Sequence, residues 1–182
     1  MKIEIKQITP WSRALDAARW TVNKDLTGKE PSDAWKSKML IAEHSPIRLV
    51  EYDIFIKDAP NKVVNHLVRH HEGCEKFVGT HRSDRSDSKD LEVNRLTPTN
   101  LLLSSNAQGI LNISYKRLCG NAEKETVKTW NEVKKEMQKV DSVLASKMVP
   151  QCVRLGYCPE LKCCGFIKSK NYQILNNEYH KI

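Results

Sequence analysis

The chain has 182 residues, with 30 Lys and Arg against 22 Asp and Glu, a formal charge of +8 and a pI near 9.2. At 40% hydrophobic and 29% charged residues it has the composition of an ordinary globular chain, long enough for one domain with a sizeable core. The basic balance favours anionic partners (nucleotides, phosphorylated or polyglutamylated cofactors, nucleic acid), and no apolar run is long enough to span a membrane.

The N-terminus lacks the apolar stretch of a secretory signal, so a cytoplasmic location is expected. Residues 2–8 alternate in polarity and predict a strand. Thr9-Pro10 offers an N-cap and a first-turn proline for a helix with Trp11, Leu15, Ala18 and Val22 on one face. Trp11, Trp20 and Trp35 are expected to pack in the core rather than to stack on bases. A polar turn at Thr27-Gly28 leads to Pro31-Ser32-Asp33, the start of a helix that buries Trp35, Met39 and Leu40. That helix should stop near His44, because Pro46 disfavours helical backbone at the residue before it. Residues 47–57 predict a strand with Val50, Tyr52, Ile54 and Ile56 on one face. Asp58 and Pro60 open a helix with Val63, Val64, Leu67 and Val68 as its apolar stripe, and its end delivers Arg69, His70 and His71.

From Glu72 to Asn94 the chain is polar and gathers Arg82, Asp84, Arg85, Asp87 and Asp90. A short strand around Phe77-Val78 and a long loop are predicted there, a loop length that goes with function or disorder. Thr97-Pro98 reads as the opening of a helix running, with or without a break, to Leu118. Val127, Trp130, Val133, Met137, Val140 and Leu144 recur at spacings of three and four and predict a helix over 122–146. Lys124, Lys128, Lys134, Lys135 and Lys139 lie on that helix away from the apolar stripe, so a solvated face accounts for much of the positive charge. After Pro150 the tail reads as irregular and cysteine-rich, with a last strand at 172–175. The fold class is α/β (α+β), a central mixed or antiparallel sheet flanked by helices. A single domain over 1–182 is expected, with an irregular segment at 150–182.

Six cysteines are present. Cys74 and Cys119 stand apart, while Cys152, Cys158, Cys163 and Cys164 crowd the tail. Paired Cys-x-x-Cys spacing is missing and no secretion signal is seen, so incidental or buried thiols are favoured over zinc or disulfides, and no metal ligand is assigned.

Arg69-His70-His71 and, beyond an eight-residue spacer, Thr80-His81-Arg82 form the densest cationic and imidazole block. A helix dipole favours cations at its C-terminal end, so alone the block reads as a solvated helix end. The chain has no P-loop, no Gly-x-Gly-x-x-Gly turn, no His-Glu-x-x-His and no Gly-x-Ser-x-Gly elbow. With seven glycines, anions would have to be held by side chains, a task that suits the planar fork of arginine.

In order along the chain, Glu43-His44-Ser45-Pro46, the Arg69–Arg82 block, Arg95-Leu96-Thr97-Pro98, Asn106-Ala107-Gln108, Asn112, Arg117-Leu118-Cys119 and Ala122 resemble the flavin-dependent thymidylate synthases. Pro150-x-Cys152 and Gly156-x-Cys158-Pro159-Glu160 are similar to the C-terminal pattern of some members. The resemblance covers about residues 40–165. It implies that Arg69, His70, His71, Asn106 and Asn112 contact FAD, with His44 and Ser45 reaching it from a neighbouring subunit of a homotetramer. It implies further that Thr80, His81 and Arg82 cradle the phosphate of dUMP, with Arg95 as an added contact. His66 stands where many members have a ligand-binding Gln. Arg117 would reach the pyrimidine and stabilise charge on its oxygens, as the catalytic residue.

The implied reaction moves a one-carbon unit from methylenetetrahydrofolate to C5 of dUMP, with NADPH as reductant and no protein nucleophile, so Cys74 and Cys119 need no role. Three departures stand out. His71 replaces the family's second arginine, the spacer is one residue longer, and the spacer's acidic residue has no counterpart at Phe77 or Val78. In a strand the added residue would reverse the facing of every later side chain unless a bulge absorbs it. Two other readings remain open: a relative that installs a different group at C5, such as hydroxymethyl, and a non-catalytic basic nucleic-acid-binding protein on the same scaffold.

Overall fold

The structure is a computed structural model and describes residues 1–85 and 92–181; Asp87 and Asp90 of the acidic and basic run lie outside them. Its strands are β1 (Lys2–Gln7), β2 (Glu51–Pro60), β3 (Cys74–Val78) and β4 (Pro98–Asn106). They form an antiparallel sheet in the order β1-β2-β4-β3. The two-residue period decides which side is covered. Tyr52, Ile54 and Ile56 of β2 and Thr99, Leu101, Leu103 and Ser105 of β4 are buried, while Phe55 and Asn100 face outward.

The helices are α1 (Trp11–Trp20), α2 (Asp33–Ile41), α3 (Asn61–Leu67), α4 (Ala107–Arg117), α5 (Lys124–Val140), α6 (Ser142–Lys147), α7 (Gln151–Leu155) and α8 (Lys170–His180). Short 3-10 turns cover Ser45–Leu49 and Phe166–Lys168. Leu67 of α3, Ile110 and Leu111 of α4, Trp130 and Val133 of α5 and Val153 of α7 join the sheet's covered face in one continuous core.

β1 and α3 follow the sequence reading closely, and Ser32 caps α2 by accepting a hydrogen bond from the Trp35 amide at 3.3 Å. β2 is shifted from the expected 47–57, since 47–49 form a 3-10 turn and the strand runs on through Asp58 to Pro60. Several expectations need correction. Thr9 is not a cap: its hydroxyl donates to the Leu49 carbonyl (2.6 Å) and accepts from the Glu51 amide (2.7 Å), joining the end of β1 to the start of β2. α1 stops at Trp20, so Val22 falls beyond it, and Trp20 itself is 71% exposed rather than in the core. α2 ends at Ile41, short of His44, where Glu43 turns the chain at φ 49°.

The largest correction concerns 97–118, which is not one helix. Its first part is β4, paired on both sides, and α4 begins only after Asn106. Leu101-Leu102-Leu103 satisfies either period, and pairing both backbone edges settles it as strand. The helix expected over 122–146 also divides, at Asp141. Its backbone leaves the helical region (φ −145°, ψ 93°), and its carboxylate caps α6 by accepting from the Leu144 amide at 2.9 Å. The tail expected to be irregular carries α7 and α8, and 172–175 is helical, within α8, which Ser169 caps through the Tyr172 amide at 3.1 Å.

Candidate functional site

α3 ends at Leu67, and the next six residues must turn back to enter β3. Gly73 makes that turn at φ 65°. A Cβ there would lie 2.6 Å from Asn106 Oδ1, and one at Gly109 would lie 2.5 Å from Ser105 Oγ and 2.6 Å from the Gly73 carbonyl. These two glycines therefore let the 69–73 turn and the start of α4 touch. The contact is sealed by hydrogen bonds to the Gly73 carbonyl from Ser105 Oγ (2.9 Å) and the Asn106 amide (3.0 Å). Asn106 also caps α4, its side chain accepting from the Gly109 amide at 2.9 Å.

Beside this junction lies a cleft of about 500 Å³ lined by Glu43, Arg69, His70, His71, Glu72, Asn112, Tyr115, Lys116, Gln151 and Arg154. A second hollow of about 640 Å³ shares Glu43, Glu72 and Asn112 with it and adds Arg48, Gly73, Asn106 and Gln108. Two stretches far apart in sequence, 69–72 and 106–116, thus meet at one place, and Arg117 stands behind the wall rather than in its lining.

The end of α4 fixes the imidazoles. Arg117 Nε donates to His70 Nε2 at 2.9 Å and Arg117 Nη2 to the His66 carbonyl at 2.7 Å. Lys76 Nζ donates to the His70 carbonyl at 2.7 Å and lies 3.3 Å from His71 Nδ1. An Nε2 that accepts from a guanidinium belongs to a neutral ring. Burial, then Arg117 and Lys76, push the His70 pKa down from 6.5 to about 4. His66 is also pushed down, by burial first and then by Arg117, with Arg69 and Arg95 adding to it, and its Nδ1 lies 2.8 Å from Thr126 Oγ1.

His70 therefore makes stability depend on pH. Its folded pKa lies below its unfolded value, so the unfolded chain binds more protons between them. The stability it contributes is fully present above about pH 6.5 and is lost as the pH falls through about 4. The His70 imidazole should titrate near pH 4 by NMR; a midpoint at the ordinary 6.5 would mean that the Arg117–His70 bond is not made in solution.

Sequence reading did not assign Glu43, the hub of the cleft's far wall. Glu43 Oε1 accepts from the Tyr115 hydroxyl at 2.9 Å and pairs with Arg154 Nε, while its Oε2 accepts from Gln108 Nε2 at 2.6 Å. Gln108 Nε2 also donates to Asn112 Oδ1 at 3.2 Å, and the Arg154 guanidinium sits 5.0 Å from the centre of the Tyr115 ring. The carboxylate next to the His44-Ser45-Pro46 segment was the available signal; nothing in their spacing marks Tyr115 and Arg154 as its partners. His44 and Ser45 are exposed beside it.

Thr80, His81 and Arg82 do not line this cleft. They come after the opposite end of β3, where His81 Nε2 lies 3.0 Å from Thr99 Oγ1 and Arg82 forms a two-point pair with Asp84 at 2.8 and 2.5 Å. The β3–β4 register is regular from Cys74 to Val78, and the one shift involving β4 lies opposite, between Ile56 and Ala59 of β2. The longer spacer is therefore not absorbed by a bulge in β3. It places the triplet past the strand, where alternation no longer dictates facing. Among the described residues no three His, Cys, Asp or Glu side chains are arranged to hold a metal ion.

No family model matches the sequence, and no curated protein matches it. Solved structures do. The flavin-dependent thymidylate synthase ThyX of Helicobacter pylori, solved with FAD and dUMP, superimposes with a TM-score of 0.66 at 16% identity, over 82% of this chain and 100% of that one. The UMP/dUMP methylase PolB of Streptomyces cacaoi, solved with 5-Br dUMP, gives 0.62 at 12% identity, over 80% of this chain and 94% of that one. The chain has the flavin-dependent thymidylate synthase fold. That fold explains why 106–116 and 151–154 share a wall: β4 runs straight into α4, and α7 packs on α4. Among the described residues no helix is long and apolar enough to cross a membrane.

Proposed function

We propose that this chain modifies a pyrimidine deoxynucleotide at C5, converting dUMP to dTMP with methylenetetrahydrofolate as one-carbon donor, FAD as cofactor and NADPH as reductant. The observation that carries the reading is Arg117. Its hydrogen-bond partners are a neutral imidazole and a carbonyl, so no carboxylate among the described residues pairs with it, and it is half-buried, where a charge acts strongly. A guanidinium held in this way is suited to stabilising negative charge that develops on uracil oxygens.

The cleft fits a phosphorylated cofactor with a flat polar ring. Gln151 lines it, and its Oε1 is buried with no hydrogen-bond partner, an acceptor that a small side-chain rotation would offer to a ring N–H. Arg69 offers a cation, Lys116 and Arg154 being paired with Glu160 and Glu43, and the adjoining hollow extends the space past Asn106 and Asn112. When bound, a reduced flavin supplies hydride. The residues at hand would then hold the ring (Asn106, Asn112, Gln151), pair with phosphates (Arg69) and orient the pyrimidine (Arg117, with His66 and His70 behind it). Exposed His44 and Ser45 are assigned to the cofactor of a neighbouring subunit in a homotetramer. The fold in one domain and a cytoplasmic setting belong to the same proposal.

Thr80, His81 and Arg82 lie past the far end of β3 from Arg117. With Arg95 they are therefore assigned to the nucleotide phosphate in an active site shared between subunits, where the phosphate would exchange with Asp84 on Arg82. Arg82→Ala should then weaken dUMP binding about tenfold, the size of one exposed charge-assisted hydrogen bond. Unchanged dUMP affinity in a calorimetric titration would remove Arg82 from the site.

The deciding experiment is mass spectrometry of dUMP incubated with the protein, FAD, NADPH and methylenetetrahydrofolate. Formation of dTMP supports the proposal in full. A hydroxymethylated product supports C5 modification and replaces its final step. Neither product, no retained flavin, and duplex binding that weakens steeply with salt would overturn it in favour of a nucleic-acid-binding role.

A further inference from the structure

Five of the six cysteines gather at one place the cleft does not use. Cys119, Cys152, Cys158, Cys163 and Cys164 line a nearly closed void of about 10 Å³ with Pro150 and Phe166. It lies where the end of α4 meets the loop between α7 and α8. That loop leaves α7 at Gly156 (φ 77°) and re-enters helix after Gly165 (φ 87°), two left-handed glycines that fold it back on itself. The fold sets Cys158 and Cys163 on the same small void.

The five are not equivalent. Cys152 is buried, and burial pushes its thiol up to about 11; burial also raises Cys119. Both stay protonated and unreactive near neutral pH. Cys163 is exposed, and its Sγ accepts from the Gly165 amide at 3.4 Å. That N–H first, and then the neighbouring Cys158, hold its thiol below the ordinary value. An accessible sulfur that accepts a backbone N–H, beside a second, half-covered thiol, is the arrangement of an attacking and a resolving cysteine.

We propose that Cys158 and Cys163 form a reversible redox pair, with Cys163 attacking a low-molecular-weight disulfide and Cys158 resolving the adduct. In the first step the Cys163 thiolate forms a bond to one sulfur of the small disulfide and expels the other half as thiolate. In the second, Cys158 loses its proton, attacks the Cys163 sulfur and releases the remaining half. The protein gives up two electrons and two protons in all, and the small disulfide becomes two thiols. The bond closes a six-residue ring over Cys158–Cys163. That ring is tied to the end of α4 by Asn121 Nδ2 on the Lys162 carbonyl (2.6 Å) and by the Lys116–Glu160 ion pair (3.7 Å). Lys116 also lines the cleft, so the bridge would stiffen the wall behind it.

The test is incubation of the full chain with oxidised glutathione at neutral pH, read by intact mass and peptide mapping. The expected product lacks two hydrogens and carries a Cys158–Cys163 link that dithiothreitol reverses. Cys158→Ser should trap a stable glutathione adduct on Cys163, Cys163→Ser should take up none, and Cys164→Ser should behave as the unaltered chain. A link that maps to Cys119, Cys152 or Cys164, or an adduct on another cysteine in Cys158→Ser, would overturn the assignment. So would one tightly bound zinc per chain that protects the thiols until it is chelated. None of these readouts depends on turnover of dUMP.

Discussion

Arg117→Lys is expected to lower kcat for dUMP conversion by two to three orders of magnitude, with a much smaller change in KM and an unchanged fold. The substitution keeps the charge and removes the fork. Arg117 uses Nε for His70 and Nη2 for the His66 carbonyl. A lysine ammonium is a point charge on a flexible stem and cannot satisfy both acceptors and also face a ring oxygen in a set geometry. The expected loss matches the removal of one preorganised donor at a developing oxyanion, about 3–4 kcal/mol in the barrier. Alanine is the poorer test, because it would leave His70 Nε2 and the His66 carbonyl without their donor and mix stability with catalysis. Thermal unfolding and the His70 NMR titration on the same variant separate the two effects. The His70 midpoint should rise as the neighbouring cation loosens, since Arg117 is one cause of its low value. Full turnover in Arg117→Lys would end the assignment of Arg117 to the chemistry, and a fall confined to KM would make it a ground-state binding residue.

Periodicity carried the fold where one face of an element is buried and the other is wet. Tyr52, Ile54 and Ile56 alternate with exposed neighbours, so β2 could be read directly, and Val63, Val64 and Leu67 did the same for α3. It failed at β4 because three consecutive leucines fit a strand and a helix equally. The choice between them rests on pairing with β2 and β3, partners far away in sequence. It failed again at Asp141, where an apolar stripe continues in register across a break imposed by a long-range hydrogen bond.

The site was legible in the same uneven way. Arg69, His70, His71, Asn112 and Arg117 could be picked out as a group because residue type and order resemble a known pattern, and the fold does bring them together. Thr80–Arg82 belonged to the same pattern on paper. In the structure the five residues of β3 separate the two halves of the block. Glu43 was hidden for another reason. Its importance comes from Gln108, Tyr115 and Arg154 converging on one carboxylate, and convergence of segments so far apart in the chain leaves no spacing to read.

Asp141→Ala should be strongly destabilising, by about 3–7 kcal/mol. Asp141 is buried, and its Oδ2 accepts from Trp11 Nε1 and from the Tyr52 hydroxyl, each at 2.6 Å. Trp11 and Tyr52 are themselves among the largest fully buried side chains. Burial first, and then the Asp141 charge, hold the Tyr52 hydroxyl well above its ordinary pKa, so it remains a donor. Alanine would leave two buried donors unpaired at about 1–3 kcal/mol each and would remove the cap on α6, about 1 kcal/mol more. Against a typical net stability of about 5–15 kcal/mol the loss is large enough to shift a urea midpoint strongly.

Orphaned donors and a lost cap can be told apart. Adding Tyr52→Phe and Trp11→Phe to Asp141→Ala removes the donors along with their acceptor, and should recover part of the lost stability if desolvation is the cause. If the triple variant is less stable by the full sum of the separate changes, the carboxylate acts through the cap and the backbone turn instead. An Asp141→Ala midpoint within about 1 kcal/mol of the unaltered chain, the size of the cap alone, would show that α1, β2 and α6 are not joined through this group.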